Sequence, residues 1–555
     1  MSNTGNELLF LPLGGAGEIG MNLNLYGFGP PDAERWMMVD LGITFNNGQV
    51  PGVDVIMPDP QFIVDRLDSL DGLVLTHAHE DHLGAVPYLW ERLRCPIYAT
   101  PFTASILRRK LAETDFKDEA EITIVDLGSR FSVGPFDLEL ITLTHSIPEP
   151  NAIAIRTPLG TVLHTGDWKF DPGPVVGAPS DKDALRRVGE EGVQAIVCDS
   201  TNVFVEGVAG SESDLLQTLR EVIGKCENRV AVTSFASNVA RLETIAAAAL
   251  ANGRDVVLAG RSLRRFDEAA RENGLLADTP AFLDEDMAGY LPKDKVLIVC
   301  TGSQGESRAA LSRIAAGDHS NVTLEEGDTV IFSSREIPGN EANIGRLHND
   351  LSRLGIEVIT WRNHLVHVSG HPARDELIEM YQLIQPRIAV PVHGERRHLE
   401  EHARLAKSCQ VAETVVNENG GVIRLAPQGG EIIGQVPSGR LTWEGGRTVP
   451  MNGDLVRSRS RALYNGSVVV TVVVDAHGLL AAAPQIATTG LLEADEETVL
   501  TGVEDVIKAT VDMVKKSKRQ DDELLKEELR IAVRRFFRDS FYKRPSTSIH
   551  LVRTE

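Results

Sequence analysis

Apolar residues follow two rhythms along this chain: short unbroken or alternating runs, and longer stretches in which they return every three or four positions. Leu8-Leu9-Phe10-Leu11-Pro12-Leu13 and the alternating Asn22-Leu23-Asn24-Leu25-Tyr26 predict two strands joined through a glycine turn. Trp36-Met37-Met38-Val39, Leu73-Val74-Leu75, and the runs at 138–143, 161–167, 194–198 and 388–392 predict further strands. Residues 84–90 predict a helix. In the middle of the chain, strand-like runs at 229–233, 255–259, 295–300 and 329–332 alternate with apolar helical stretches such as 242–250. That alternation predicts an α/β domain with a mostly parallel sheet covered on both faces. Pro437-Ser438-Gly439 and Gly445-Gly446 mark a linker over 431–455. A separate C-terminal α/β unit over 456–555 is expected to hold a strand at 467–475, helices near 496–517 and 521–541, and a closing strand at 549–552. The later helix spaces Leu524, Leu525, Leu529, Ile531, Val533 and Phe536-Phe537 among charges, an amphipathic pattern.

The 555 residues, 42% of them hydrophobic, are enough for several domains with their own cores. No run is long enough to span a bilayer, and the polar start Met1-Ser2-Asn3-Thr4-Gly5-Asn6 is no signal peptide, so a cytoplasmic protein without a membrane partner is expected. Cys95, Cys198, Cys226, Cys300 and Cys409 show no metal spacing and read mostly as reduced core residues. A net charge of −23 argues against a protein that coats nucleic acid nonspecifically. It leaves room for a local basic track, with Arg108-Arg109-Lys110 and Arg261, Arg264 and Arg265 as candidates. Lys515-Lys516-Ser517-Lys518-Arg519 reads as a solvated helix end.

The densest chemistry follows Leu73-Val74-Leu75. Thr76-His77-Ala78-His79-Glu80-Asp81-His82 places His77, His79, Asp81 and His82 on a strand-to-helix loop, where side chains can converge. Imidazole nitrogens with a carboxylate suit zinc or a similar divalent ion, and packing alone does not account for so much polar capacity beside a core strand. Gly15-Ala16-Gly17-Glu18-Ile19-Gly20 matches the dinucleotide fingerprint, but the residues after it alternate like a strand. Without a helix N-terminus there is no pyrophosphate site, so this is read as a hairpin turn.

His-x-His-x-Asp-His resembles the signature loop of the metallo-β-lactamase superfamily, and later strand ends match its further positions in order. His145 follows the run 138–143, Asp167 ends the run 161–167, and Asp40 follows Trp36-Met37-Met38-Val39. Asp199 in Asp199-Ser200-Thr201-Asn202, His371 in His367-Val368-Ser369-Gly370-His371, and His393 in His393-Gly394-Glu395 resemble motifs A, B and C of the β-CASP, nucleic-acid-processing branch. The loops 233–238, 258–262, 301–306 and 333–341 narrow the likeness to the ribonuclease J family, over nearly the whole chain. The resemblance implies a metallo-β-lactamase αββα sandwich at 1–210 and 366–430, an inserted β-CASP domain at 211–365 and a small C-terminal domain that supports dimerisation.

It also implies a ligand set: His77, His79 and His145 for one ion, Asp81, His82 and His393 for another, Asp167 bridging, and Asp40 orienting a ligand histidine. Two zinc ions are implied, and manganese or magnesium is compatible with the same ligands. Some relatives hold a structural calcium in the loop matching 45–50, which here is poor in carboxylates and argues against that ion. His371 and Asp199 would serve proton transfer, and which of them is the donor stays open. Ser237, Asn238, His367, Val368, Ser369, Gly370 and His371 would form a pocket for an RNA 5′-monophosphate. The implied activity is a 5′-to-3′ exoribonuclease that also cuts internally, acts on single-stranded RNA in ribosomal RNA maturation and messenger RNA decay, and leaves 5′-phosphates. Histidine at motif C matches the RNA-acting members. Implied partners are RNA, a second copy or a dimer of dimers, and an RNA-degradation complex. Two alternatives stand beside this: an esterase or thioesterase of the same fold, and a non-catalytic RNA-binding scaffold.

Overall fold

The computed structural model describes residues 5–46, 50–493 and 497–554. The chain start, residues 47–49 of the 45–50 loop and the beginning of the helix expected from 496 therefore lie outside the described residues. Two compact units are present: Val55–Leu441 with the N-terminal residues before 48, and Thr442–Glu555 with the short segment Gly48–Asp54.

In the first unit, an eight-stranded and a seven-stranded sheet pack face to face. Strand Glu7–Gly14 shows why its sequence is apolar throughout: Leu8 and Phe10 point into the inter-sheet core, and Leu9, Leu11 and Leu13 face helices on the outer side. The inter-sheet core joins Tyr26, Met37, Val39 and Val74 of one sheet to Leu138, Ile153, Val197 and Val390 of the other. Helices Val86–Leu93 and Pro101–Leu111 cover one outer face, and Lys182–Glu191, Arg374–Ile384 and Arg396–Ser408 the other. The result is the αββα sandwich that the family resemblance implies. Strand Val193–Asp199 pairs in parallel with Ile388–Val392, placing Asp199 opposite Val392. All residues of the inserted domain lie between these two neighbouring strands.

The inserted domain has a six-stranded sheet, parallel throughout, in the order Leu283–Asp284, Asp255–Ala259, Val296–Cys300, Val230–Thr233, Thr329–Phe332, Glu357–Thr360. From Val230–Thr233 the chain crosses by helix Val239–Ala251 toward one edge. From the adjacent Thr329–Phe332 it crosses by helix Glu341–Arg353 toward the other edge, on the opposite face. A crevice opens at the carboxyl ends of two strands whose connections diverge in this way.

Two readings need correction. The stretch 431–455, expected as a linker, contains strands Glu431–Gln435, Arg440–Glu444 and Arg447–Pro450. Gly445-Gly446, with φ of 55° and 81°, is the two-residue turn of a hairpin, so glycines that resembled a linker serve a tight reversal. The candidate basic track is largely neutralised within the fold. Arg109 pairs with Glu272, Lys110 with Glu80, Arg264 with Asp284 and Arg265 with Glu113.

The second unit is a three-stranded sheet in which Ser467–Val474 lies between Gln485–Thr489 and Ser546–Arg553. Helices Glu497–Met513 and Asp522–Phe541 cover one face through Val503, Ile507, Leu525, Leu529, Val533 and Phe537. No helix of the described residues is long and apolar enough to cross a membrane. The five cysteines are free.

A buried ion pair ties the inserted domain together. Arg241, fully enclosed, donates to Glu212 at 2.5 and 2.9 Å and to the Ser333 carbonyl at 2.7 Å. Removing one partner strands the other charge in a dry interior. Arg241→Met is expected to lower stability by roughly 3–5 kcal/mol, and Arg241→Met with Glu212→Met to recover most of that, in urea unfolding followed by far-ultraviolet circular dichroism.

Candidate metal centre

The strand Leu70–Val74 ends at a crowded loop. Thr76 and His77 are fully buried, and His79 precedes the short helix Glu80–Leu83 that carries Asp81 and His82. His145 enters from the segment after Phe136–Thr142, Asp167 from the segment after Gly160–His164, and His393 from the end of Ile388–Val392. His77 Nε2 and His145 Nε2 each lie 3.1 Å from His79 Nδ1. His82 Nε2 is 3.2 Å from Asp167 Oδ2 and 3.6 Å from Asp81 Oδ2. His393 reaches Asp81 at 3.5 Å and Asp167 at 3.0 Å. Donor atoms thus gather in two sets, His77, His79, His145 with Asp167, and Asp81, His82, His393 with Asp167. Asp167 belongs to both.

The tautomers follow from the outer hydrogen bonds. Asp40, fully buried, accepts from Thr76 N–H at 2.8 Å and from the Thr76 hydroxyl at 2.8 Å, and its Oδ2 lies 2.7 Å from His82 Nδ1. A proton on Nδ1 leaves His82 Nε2 with a lone pair facing Asp81 and Asp167. His145 Nδ1 donates to the Gly370 carbonyl at 2.5 Å, and His77 Nδ1 faces the Thr76 hydroxyl at 3.0 Å. In each case Nε2 is turned to the centre. Asp40 and His393 hold positive φ, 63° and 52°, conformations that cost non-glycine residues about 1–3 kcal/mol and persist where surroundings enforce them.

Electrostatics separates the two sets. Burial drives His77 and His145 well below the usual imidazole range and His79 down to about 3, so these three are neutral. Burial also opposes charge on His82 and His393, but Asp167 first, then Asp81 at His82 and Asp199 at His393, outweigh it and raise both. Burial would raise Asp167, yet His393, His82 and His371 hold it well below the carboxylate range. Its Oδ1, though 3.0 Å from His393 Nδ1, makes no aligned hydrogen bond. A buried carboxylate oxygen without a donor, beside three neutral imidazoles sharing too few protons, calls for cations. The 3.1 Å nitrogen separations are also close to the ligand–ligand edge of roughly 3.3 Å around a tetrahedral ion with bonds of about 2.0 Å. The residues fit divalent metal.

Asp199 and His371 stand beside this cluster. His371 Nδ1 is 2.8 Å from Asp199 Oδ2 and 3.9 Å from Asp167 Oδ2. Burial opposes its charge, but Asp199 and then Asp167 carry it up to about 9. Asp199 Oδ1 accepts from Thr201 N–H at 2.8 Å and from its hydroxyl at 2.7 Å. Behind them, Ser200 Oγ, His402 and Tyr381 OH form a buried chain with two 2.8 Å links. It joins the residue after Asp199 to the helices that follow His371 and His393.

The expected phosphate-pocket residues divide. Asn238 caps helix Val239–Ala251 by accepting from Arg241 N–H at 2.9 Å, with half-buried Ser237 preceding it. His367 Nδ1 lies 3.4 Å from the same Arg241. Ser237 and Asn238 follow the carboxyl end of Val230–Thr233, where the divergence of connections places the crevice, and Arg241 ties His367 to the same end. Ser369 instead accepts from Asn202 at 2.7 Å, the Gly370 carbonyl orients His145, and Val368 is a core contact. Thr76, Asn22, Arg241, Asn202 and the Gly370 carbonyl escape a reading by sequence. Asn22, whose Nδ2 lies 3.1 Å from His82 Nε2 and 3.4 Å from His393 Nδ1, looks like the polar beat of a strand. The glycine fingerprint is structural in purpose, since Gly15, at φ 85°, offers its carbonyl to His393 N–H at 2.6 Å. A Cβ on Gly42 would stand 1.8 Å from the Asp81 carbonyl, so only glycine lets the two segments approach.

Comparisons with known proteins follow this division. Residues 36–181 match the beta-lactamase superfamily domain, 227–351 the beta-CASP domain of ribonuclease J, 355–417 the Zn-dependent metallo-hydrolase RNA specificity domain, and 455–554 the ribonuclease J C-terminal domain. The chain is 44% identical to ribonuclease J of Sinorhizobium meliloti, over 99% of this chain and 97% of that protein. It is 36% identical to ribonuclease J of Corynebacterium glutamicum, over 97% and 75%, and 36% identical to that of Thermus thermophilus, over 83% and 82%. A crystal structure of a protein of unknown function from Enterococcus faecalis shares the fold at a TM-score of 0.51 and 17% identity, over 75% of this chain and all of that one.

Asp40 touches no metal position directly, so its loss isolates orientation from ligation. Asp40→Ala is expected to weaken divalent-ion affinity about 10–100-fold, measured by competition with a chromophoric chelator. Unchanged affinity would remove Asp40 from any orienting role.

Proposed function

Because the chain belongs to the ribonuclease J family and is thus a metal-dependent hydrolase of RNA, we propose that it removes nucleotides from the 5′ end of single-stranded RNA, prefers a 5′-monophosphate, and also cuts internally. Membership sets aside the esterase and scaffold alternatives. In this reading His77, His79 and His145 hold one zinc ion, Asp81, His82 and His393 a second, and Asp167 both. Manganese and magnesium suit the same donors. When bound, such ions neutralise phosphodiester charge and make water acidic enough to ionise near neutral pH.

The observation that carries the proposal is the short segment His367–His371. One end lies beside Arg241 at the crevice, and the other reaches 3.9 Å from Asp167. A 5′-phosphate held near Ser237, Asn238 and His367, at the N-terminus of a 13-residue helix, would set the first phosphodiester by the cluster. Asp199, with both oxygens engaged, keeps His371 Nδ1 protonated and directs Nε2 outward. A second proton on Nε2 can pass to the leaving 3′ oxygen, and Asp199 stabilises the charged imidazole before transfer. Expulsion of the 3′ oxygen leaves a 3′-hydroxyl on the upstream product and the phosphate as a 5′-monophosphate on the downstream one. We further assign the chain to ribosomal RNA maturation and messenger RNA decay in the cytoplasm, as a dimer or dimer of dimers joined through the C-terminal domain and within an RNA-degradation complex.

Wild type, His77→Ala and His371→Ala are compared on 5′-labelled single-stranded RNA with a monophosphate or triphosphate end, and on DNA. Wild type should release labelled mononucleotide, fastest from monophosphate RNA. His371→Ala should lose about 10²–10⁴-fold in kcat with metal content retained, whereas His77→Ala loses metal and activity together. Equal rates from both RNA ends would remove the pocket from the proposal.

The buried Ser200–His402–Tyr381 chain predicts a subtler effect. His402→Phe should lower kcat about 10–100-fold through displacement of Asp199, with KM and metal content little changed. His402→Gln, which can still bond Ser200, should recover part of the loss. A parallel fall in folded fraction for both variants would reduce the chain to a packing element.

A further inference from the structure

Beyond the crevice, the inserted domain carries a group of side chains that neither the metal centre nor the 5′ pocket uses. Strand Thr329–Phe332 runs on into Ser333-Ser334-Arg335-Glu336-Ile337, and the edge strand Glu357–Thr360 into Trp361 and Arg362. The Trp361 Nε1–H donates to Glu336 at 2.7 Å, which fixes the half-buried indole. Arg335 and Arg362 stand over that ring, their Cζ atoms 5.2 and 5.1 Å from its centre. Arg362 also donates to Glu336 at 3.1 Å, and among the described residues Arg335 has no carboxylate partner. Two guanidinium groups against one carboxylate leave a net positive charge, on a chain that carries −23 overall.

The group faces solvent. Arg335 is exposed, the Arg362 side chain is 68% exposed, and Ile337 and Leu365, two and three residues further along the chain from them, are 45% and 49% exposed. An aromatic ring flanked by two guanidinium groups is suited to stacking nucleobases and pairing phosphates, independent of base identity.

Its position gives it a role. Ser333, two residues before Arg335, accepts from Arg241 and donates to the Val366 carbonyl at 2.6 Å, and Arg241 touches His367. Two residues of backbone span at most about 7 Å, so Arg335 borders the crevice. The chain itself passes from Trp361, through His367, to His371.

We propose that Arg335, Trp361 and Arg362 form a binding site for the RNA nucleotide on the 5′ side of the crevice, filled when the strand is cut internally. This rests on the crevice holding a 5′-phosphate during end-dependent cleavage. A strand whose 5′-phosphate sits there ends there, and nothing reaches Trp361. A strand without an end continues past the crevice and meets the indole and the two arginines. The site therefore supports internal cutting and is idle during removal of terminal nucleotides.

The test uses one sequence in two forms, a linear single-stranded RNA with a 5′-monophosphate and a covalently closed circle, with the full-length metal-loaded protein. Trp361→Ala removes the ring, and Arg362→Glu reverses a charge at an exposed position where folding is not at stake. Initial loss of the circle should slow about fivefold or more in both variants, while mononucleotide release from the linear RNA stays within about twofold of wild type. Equal slowing on both substrates, no slowing on the circle, or a wild type that leaves the circle intact would each overturn the proposal. The crevice reading fails separately, if wild type releases mononucleotide equally from monophosphate and 5′-hydroxyl linear RNA.

Discussion

A single buried carboxylate organises the first unit. Asp167 is 3% exposed, and His82, His145, His371 and His393 converge on it from four separate segments. An ionised group in a dry interior is tolerable only when opposite charge or donors surround it. The surrounding histidines supply part of that compensation, and the divalent ions for which the donor set is built supply the rest. Other features of the site serve the same constraint. Asp40 turns His82, the Gly370 carbonyl turns His145, and the glycine loop brings the His393 strand close enough. Backbone strain at Asp40 and His393 persists because several hydrogen bonds hold each in place.

The inserted domain extends this centre instead of standing apart from it. Its two central strands end at a crevice whose floor includes Arg241, and the segment leaving it arrives at the metal cluster as His371. The same buried arginine that stabilises the insertion therefore borders the proposed phosphate site. In our reading, recognition of the RNA end and hydrolysis share one rigid connection of a few residues. Basic residues distant from this path, such as Arg264 and Arg265, are committed to carboxylates of the fold. An acidic protein can thus handle RNA with few uncommitted cations, provided they lie at the crevice.

How much of this is legible in the sequence depends on the kind of signal. His77, His79, Asp81 and His82 are dense in sequence, whereas Asp40, His145 and Asp167 each end an apolar run and are reached because the family resemblance directs attention to strand ends. His393, Asp199 and His371 are reached by resemblance to family motifs, since a single polar residue after a strand is otherwise unremarkable in composition. The parallel sheet of the insertion is legible because strands buried on both faces are continuously apolar. Backbone donors and acceptors carry no residue signature, which hides the Gly370 carbonyl. Asn22 and Arg241 are hidden because burial of a polar residue is decided by distant packing. Gly445-Gly446 shows the opposite failure: glycine marks a reversal and a flexible linker with the same letter, and only the pairing of flanking strands separates them.

The pairing of Val193–Asp199 with Ile388–Val392 also has a consequence in time. A ribosome releases the first of these strands long before the second, and Gly421–Ala426, which pairs with Glu7–Gly14, later still. Until those strands emerge, the nascent chain holds Asp81 and His82 without His393, and Asp199 without a neighbour on one side. The insertion can meanwhile collapse around its own sheet, which shortens the loop that the returning strand must close. Loop closure grows only slowly with length, so this order costs little stability. What it gives is a donor set split across the insertion: the ligands before residue 200 meet His393 only once the strand Ile388–Val392 has joined the sheet.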